Sequence, residues 1–296
     1  MQVRGERGAI SADGFEIPWR SRMSIWLLPA VSAVQLAPVL ALPQLPALAA
    51  SCTVPTLLGY VKSEWGVSYA YGGATALVGA LTLPHATTAV GRAHALTILL
   101  YGARLNVFLL WRELSFERFR KLRERIEDRA VSRGSRLART PFIASCSFLY
   151  FCMTAPLHVT ASAPPTAALR ACVAASAIGF FVAAAGDIGK SIVKARRGED
   201  ALVAFPLLRH PNYTGEMLGW LANAGAATAA AASSGGGAAW VGASWVGFAG
   251  IAFVLKQATA GLEKKQAERY GDTTEYKEWV RTTWGGVGSV RKIKQD

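Results

Sequence analysis

The sequence predicts an all-α fold, a multi-pass transmembrane helical bundle of about seven spans within a range of six to eight. Three observations predict it. Hydrophobic residues make up 52% of the 296 residues and charged ones only 17%. No Asp, Glu, Lys or Arg occurs from Met23 to Val61, Trp65 to Gly91, Thr140 to Leu169 or Met217 to Leu255. The excess charge of +13 is gathered into segments between these windows. A helix needs about 20 apolar residues to cross a bilayer, so each window is long enough for one crossing. A soluble fold alternates polar faces with apolar ones, and these windows do not.

Taken in order, residues 1–23 read as a polar tail, and residues 24–296 as a single membrane domain. The first window holds Pro29, Pro38, Pro43, Pro46 and Pro55. That spacing predicts one kinked span or two short ones, because proline breaks helical hydrogen bonding. YVKSEWG (60–66) is a polar connection, and Trp65 and Tyr69 suit a membrane interface. Spans follow at Val67–Leu83 and Ala89–Trp111. The charged run Arg112–Arg139 predicts an amphipathic helix lying on the membrane surface, with Phe116, Phe119, Leu122 and Ile126 on its apolar stripe. Two more spans, Thr140–Leu157 and Ala167–Gly186, are split by TASAPP (160–165). A polar segment, DIGKSIVKARRGED (187–200), precedes FPLLRHPNYTGE (205–216). A span from Met217 runs to a glycine turn at SSGGG (233–237). The last span, Ala239–Leu255, leads into a polar tail.

Charge sets the sidedness. Arg112–Arg139 carries ten basic against five acidic residues, and Lys256–Asp296 nine against six. A third basic cluster spans Lys190–Arg209. An even number of spans separates each from the next, so all three fall on one face. Cytoplasmic loops collect Lys and Arg, which makes that face cytoplasmic. Anionic headgroups account for the basic bias better than nucleic acid does. Cys52, Cys146, Cys152 and Cys172 lie in apolar windows without C-x-x-C spacing and read as small buried residues. No histidine spacing suggests a metal.

Ionisable groups in or beside a span are costly and point to function. Arg104 falls within the third span. Asp187, Lys190 and Lys194 recur at helical intervals where a span ends. Arg209, His210, Asn212, Tyr213 and Glu216 precede the next span, and Tyr276 and Arg281 sit in the tail. Together they predict a cavity open to the cytoplasmic face and suited to an anionic cofactor. Lys and Arg match phosphates, Asp187 and Asn212 match ribose hydroxyls or an amide, and Tyr213 and Trp220 offer flat rings. Pro211 biases His210 away from helix, and Gly215 permits close helix packing.

RHPNYTGE (209–216), followed by an apolar span and EKKQAERYGDTTEYKEWVR (263–281), resembles the C-terminal region of the steroid 5-alpha-reductase superfamily. The nearest likeness is to its uncharacterised DUF1295-like branch. Isoprenylcysteine carboxyl methyltransferases and sterol reductases look similar in the same places. YGARLNVFLLWR (101–112), FERFRKLRERI (116–126) and GDIGKSIVKARRGE (186–199) extend the resemblance to that branch's arginine-bearing span, basic loop and cofactor-facing loop. Residues 186–296 correspond to the cofactor-binding region. The resemblance implies that Glu216 holds and protonates a substrate carbonyl, and that Asn212 and Trp220 line a nicotinamide dinucleotide. It places Asp187 on the adenosine side, Lys190 and Lys194 at phosphates, and Tyr276 at the cofactor. The reductases also carry a tyrosine near the basic loop that pairs with the acid. NVFLLWRE (106–113) has none, which leaves Tyr101, earlier on the helix, and Arg104 as candidates. The tail VRTTWGGVG lacks the family's closing proline.

The function these readings imply is NADPH-dependent reduction of a C=C bond conjugated to a carbonyl, in a lipid, steroid or isoprenoid-like substrate. The expected setting is the endoplasmic reticulum or another internal membrane, plastids included, among membrane lipids. An S-adenosylmethionine-dependent methyltransferase and a non-catalytic protein on the same scaffold are the alternatives. The acid after Y-x-G favours the reductase, since the methyltransferases usually place an apolar or aromatic residue there.

Overall fold

The structure is a computed structural model, and it describes residues 45–286. The expected tail at 1–23, the proline-rich stretch through residue 44 and the end of the basic tail, 287–296, lie outside the described residues. Among the described residues the regular elements are helices: α1 (Leu45–Thr56), α2 (Leu58–Val61), α3 (Ser68–Thr82), α4 (Ala89–Ser115), α5 (Glu117–Ser132), α6 (Thr140–Thr154), α7 (Pro156–Thr160), α8 (Ala167–Arg197), α9 (Pro211–Ser234), α10 (Ala238–Tyr270) and α11 (Thr274–Thr282).

Local chemistry sets the ends. Thr88 and Thr166 cap α4 and α8, accepting from the N–H groups of Gly91 and Leu169 at 3.1 and 3.2 Å. Each satisfies a donor that the first helical turn leaves unpaired. Pro211 opens α9, where its missing N–H costs nothing. Gly235 ends α9 at φ +70, and Gly237 starts α10 at φ +89. Few side chains adopt these backbone angles, so the glycine turn belongs where the sequence puts it.

Two helices outrun their expected ends. α8 continues through 187–197 and α10 through 256–270, both expected as polar segments beyond the spans, and the helical spacing read for Asp187, Lys190 and Lys194 lies within α8. Nothing in either stretch breaks a helix. Gly198, at φ +96, ends α8. Lys194, Arg196 and Arg197 in its last turn also suit the negative end of the helix dipole.

Four segments are long and apolar enough to cross a membrane: Ala89–Ser115, Arg136–Thr160, Ala167–Arg197 and Ala238–Tyr270. The apolar stretch Leu45–Val61 is shorter. The chain is thus a multi-pass helical membrane protein, and the count among the described residues stops below seven. α3, at 15 residues, covers only about 22 Å. α9 has the length, with 24 residues, but is rich in Ala, Gly, Ser and Thr. Its composition follows from its place, packed among α7, α8 and α10.

Helix association in a membrane relies on close packing, because lipid is as apolar as leucine. Several pairs use glycine for it, and two of them frame the site. In α8–α9, a Cβ on Gly179 would lie 2.5 Å from the Gly219 nitrogen, and one on Gly215 would lie 2.6 Å from the Ala183 nitrogen. In α3–α4, a Cβ on Gly79 would lie 2.6 Å from the Leu99 nitrogen. The backbones touch, and any larger residue forces them apart.

The charged helix α5 departs from the expected stripe. Leu122 is 41% exposed, while Arg123 is 5% exposed and faces the bundle. Arg123 pairs with Glu113 at 3.0 Å and Glu64 at 3.6 Å, and lies over the Tyr69 ring. Glu127 accepts from Arg139 at 2.8 Å and from the Ser63 N–H at 2.7 Å. Ion pairs dock α5 onto the ends of α3 and α4, a role that an apolar stripe was expected to fill. Burial opposes the Glu127 charge, but hydrogen bonds from Arg139 and Ser63 outweigh it and hold the carboxyl below its usual range.

Two predictions follow from this packing. Gly179→Ala overpacks the α8–α9 seam and costs about 1–3 kcal/mol. Gly261→Ala, in open space on α10, is neutral or stabilising. Thermal unfolding in mild detergent compares the two. A carboxyl with a lowered folded pKa lends stability above its unfolded value, near 4.3, and that stability is lost as pH falls through the folded value. Residues 117–132 therefore gain hydrogen exchange below about pH 4 before the spans do.

Candidate active site

The two glycine seams set a polar cluster between them. α3 and α4 supply Tyr71 and Tyr101, and α8 and α9 supply Phe180, Glu216 and Trp220. Tyr71 donates its hydroxyl to Glu216 Oε1 at 2.5 Å, and Tyr101 donates to the same oxygen. Tyr101 also approaches the Tyr71 oxygen at 2.6 Å, and Trp220 Nε1 donates to that oxygen at 2.6 Å. The Tyr101 ring stacks on Phe180 with centroids 4.1 Å apart. Phe180 and Trp220 stand edge to face at 5.1 Å. Tyr101, Phe180 and Trp220 are buried, whereas Tyr71 and Glu216 keep some exposed surface. Glu216 Oε2 receives no hydrogen bond from the described residues.

Tyr101 therefore reaches the acid, although it stands earlier on its helix than the stretch where a partner tyrosine is expected. Arg104, one turn further along, does something else. It forms an ion pair with Asp187 at 2.9 Å, and Asn212 Nδ2 donates to the other Asp187 oxygen at 3.2 Å. The pair joins α4 to α8 and ties the start of α9 to them. Charges this deep need such partners.

Towards the basic end, Lys190 lies within the electrostatic reach of Lys194, Arg112, Arg118 and Asp187. Arg112 covers the Phe119 ring at 4.1 Å. Lys194 donates to the Glu199 carbonyl at 2.5 Å. None of these four cations makes an ion pair among the described residues. The sequence marked Lys190 and Lys194; α5 adds Arg118 to them.

Two further predicted residues, Arg209 and His210, form a knot at the same end. Arg209 donates to the carbonyls of Val280 and Thr283 at 3.1 and 3.0 Å and pairs with Glu263 at 3.1 Å. His210 Nε2 lies 3.3 Å from the same Glu263 oxygen. The Arg209 N–H donates to the Trp284 carbonyl at 2.9 Å, beside the parallel bridge between Leu208 and Trp284. Arg209 and His210 thus fasten α11 to α10 and to the entrance of α9. Tyr276 is buried beside Tyr270 and Trp279, and Arg281 is exposed on α11. Tyr213 is half-buried against the core. Trp220 is 1% exposed with Tyr71, Tyr101 and Phe180 around it, so it presents an N–H to Tyr71 and no open ring face.

Away from this site, His94 is fully buried. Its Nδ1 and Nε2 lie 2.8 Å from Thr160 Oγ1 and Asn223 Oδ1, and Asn223 Nδ2 donates to the Met153 carbonyl at 2.8 Å. Every polar atom of this group is used, as a structural tie requires. A groove of about 580 Å³ between α1 and α6 is lined by Ala49, Thr53, Thr56, Ile143, Ser147 and Phe148, among others. It holds no charged residue and no member of the tyrosine–glutamate cluster. The cysteines are free.

Sequence reasoning missed Tyr71, Arg118 and the docking role of Arg123. Tyr71 stands in SYAYGG two residues after Tyr69, which the sequence assigns to the interface, and its partner Glu216 is 145 residues away. The aromatic beside a Gly-Gly pair was the one available signal.

A helical membrane protein with a carboxyl clasped by two phenols between glycine-packed helices is the class that fold and site define. The chain belongs to the DUF1295 family, proteins of unknown function, whose profile matches residues 57–283. No curated protein and no solved structure matches it.

Breaking a buried pair costs about 3–5 kcal/mol because the partner charge is stranded. Glu263→Ala is expected to release α11, so that limited proteolysis cuts near residues 271–286 while the spans stay intact. An unchanged cleavage pattern contradicts the role given to this knot.

Proposed function

We propose that the protein is a membrane-embedded, NADPH-dependent reductase of a C=C bond conjugated to a carbonyl, acting on a lipid, steroid or isoprenoid-like substrate. The observation that carries this reading is Glu216. One of its oxygens is held by two phenols and the other has no hydrogen-bond partner among the described residues. The likeness of RHPNYTGE and the downstream tail to the steroid 5-alpha-reductase superfamily supports it, as does the acid after Y-x-G.

The residues present fit the cofactor in chemistry. Arg112, Arg118, Lys190 and Lys194 are cations without ion-pair partners among the described residues, as phosphates require. Asp187 and Asn212 stand between that end and Glu216, with oxygen and amide groups for a ribose. NADPH, when bound, supplies the hydride. The chain binds and orients the substrate carbonyl and excludes water. With the cofactor bound, its hydride would go to the beta carbon of the substrate, and Glu216 would give its proton to the carbonyl oxygen to which the double-bond pair shifts. Tyr101 keeps the carboxyl in place, and the Arg104–Asp187 pair fixes α4 against α8. The resulting enol returns to the ketone by protonation at the alpha carbon, and solvent restores the Glu216 proton. The basic end faces the cytoplasm, where the cofactor is found, in the endoplasmic reticulum, another internal membrane or a plastid.

Titration of purified protein with NADPH and, separately, with S-adenosylmethionine tests this. Micromolar NADPH binding, weakened about tenfold, ~1.4 kcal/mol, in Asn212→Ala, is expected. Binding of the methyl donor alone moves the assignment to methyl transfer. Binding of neither, in lipid nanodiscs, removes the catalytic reading.

A further inference from the structure

The cluster contains more hydrogen-bond donors than a polarised acid needs, and they are ordered. Trp220 can only donate, because an indole N–H has no acceptor. Its 2.6 Å contact therefore ends on a lone pair of the Tyr71 oxygen. The Tyr71 hydrogen is then left to point onwards, and Glu216 Oε1 lies 2.5 Å away to receive it. Tyr101 has one hydrogen for the two oxygens it faces, Oε1 and the Tyr71 oxygen, and both lie on this side of the carboxyl. Both phenols thus face one oxygen of the carboxyl, and Oε2 is left without a partner among the described residues. Trp220 is wedged among Tyr71, Tyr101 and Phe180 and is 1% exposed, so its N–H has a single direction.

We infer that Trp220 and Tyr71 form a directed positioning arm for Glu216. The arm, Trp220 N–H to Tyr71 oxygen and Tyr71 O–H to Glu216 Oε1, occupies Oε1 and turns Oε2 to the ligand. The proton that Glu216 exchanges with a bound oxygen is therefore carried on Oε2. This rests on the reductase reading for its chemistry, but the geometry of the arm does not need the cofactor. Tyr71 and Trp220 are positioning residues: they act through the acid, and Trp220 acts through Tyr71. The arm also gives the fully buried Trp220 a function other than stacking on a ring.

Infrared difference spectroscopy of the protein in nanodiscs, without cofactor or substrate, tests the arm. The carboxyl vibrations of Glu216 are assigned by their loss in Glu216→Gln. Tyr71→Phe, which removes only the hydroxyl, is expected to displace them. Trp220→Phe is expected to displace them less, and to add nothing in the Tyr71→Phe background, because its influence passes through Tyr71. A Trp220→Phe spectrum identical to wild type overturns the arm, and so does a displacement that is additive in the double variant. A residue that merely packs would lower the unfolding temperature and leave these bands alone. With an enone substrate in hand, Tyr71→Phe is expected to lower kcat at least tenfold with KM within twofold. A rise in KM alone overturns the positioning role. Loss of NADPH binding in wild type would remove the reductase reading and leave the infrared result standing, so the two failures are distinguishable.

Discussion

Everything near the site depends on how closely two helix backbones can approach inside a membrane. Lipid gives helices no hydrophobic reason to associate, so van der Waals contact along small residues and a few polar ties must do it. α8 and α9 meet where Gly179 faces Gly215 and Gly219, and α3 and α4 meet at Gly79. These seams fix where Glu216 and Trp220, Tyr71 and Tyr101 emerge. A shift of an ångström in either seam would be large beside hydrogen bonds of 2.5 and 2.6 Å. The chemistry is therefore specified by residues that have no side chain.

The polar groups are layered along the same axis. The tyrosine–glutamate cluster comes first, then Arg104, Asp187 and Asn212, then Arg112, Arg118, Lys190 and Lys194, cations that make no ion pair among the described residues. Each layer is tied more loosely than the one before, as the distance from the apolar interior predicts. The knot of Arg209, His210 and Glu263 closes the basic end by holding α11 across it. α5 is held there by buried ion pairs, which are costly to desolvate but strongly directional. Helix order, seam and charge thus place one carboxyl oxygen where a ligand can meet it.

Much of this was legible in the chain. Charge-free windows gave the membrane class, the glycine turn gave the α9–α10 junction, and the residues after Arg209 gave the acid. Other features were not, for physical reasons. A polar sequence marks where a helix leaves the bilayer, not where it stops, so α8 and α10 run beyond their apolar windows. A charge run reads as a solvated face, which hides a buried Arg123 among exposed neighbours. Tyr71 and Trp220 meet across 149 residues, and no periodicity encodes that contact. Residues read as cofactor-binding divide in the structure: Lys190 and Lys194 make no ion pair among the described residues, Arg209 and His210 fasten helices, and Trp220 points its N–H at a tyrosine.

The central claim is that the two glycine-packed pairs meet through the phenols and the acid. A double-mutant cycle on unfolding stability, with Tyr101→Phe and Glu216→Gln, tests it most directly. The account predicts non-additive losses, with a coupling of at least about 0.5 kcal/mol, the lower range for contacting residues. Strictly additive losses would mean that Tyr101 and Glu216 do not touch, and the site described here would not exist in that form.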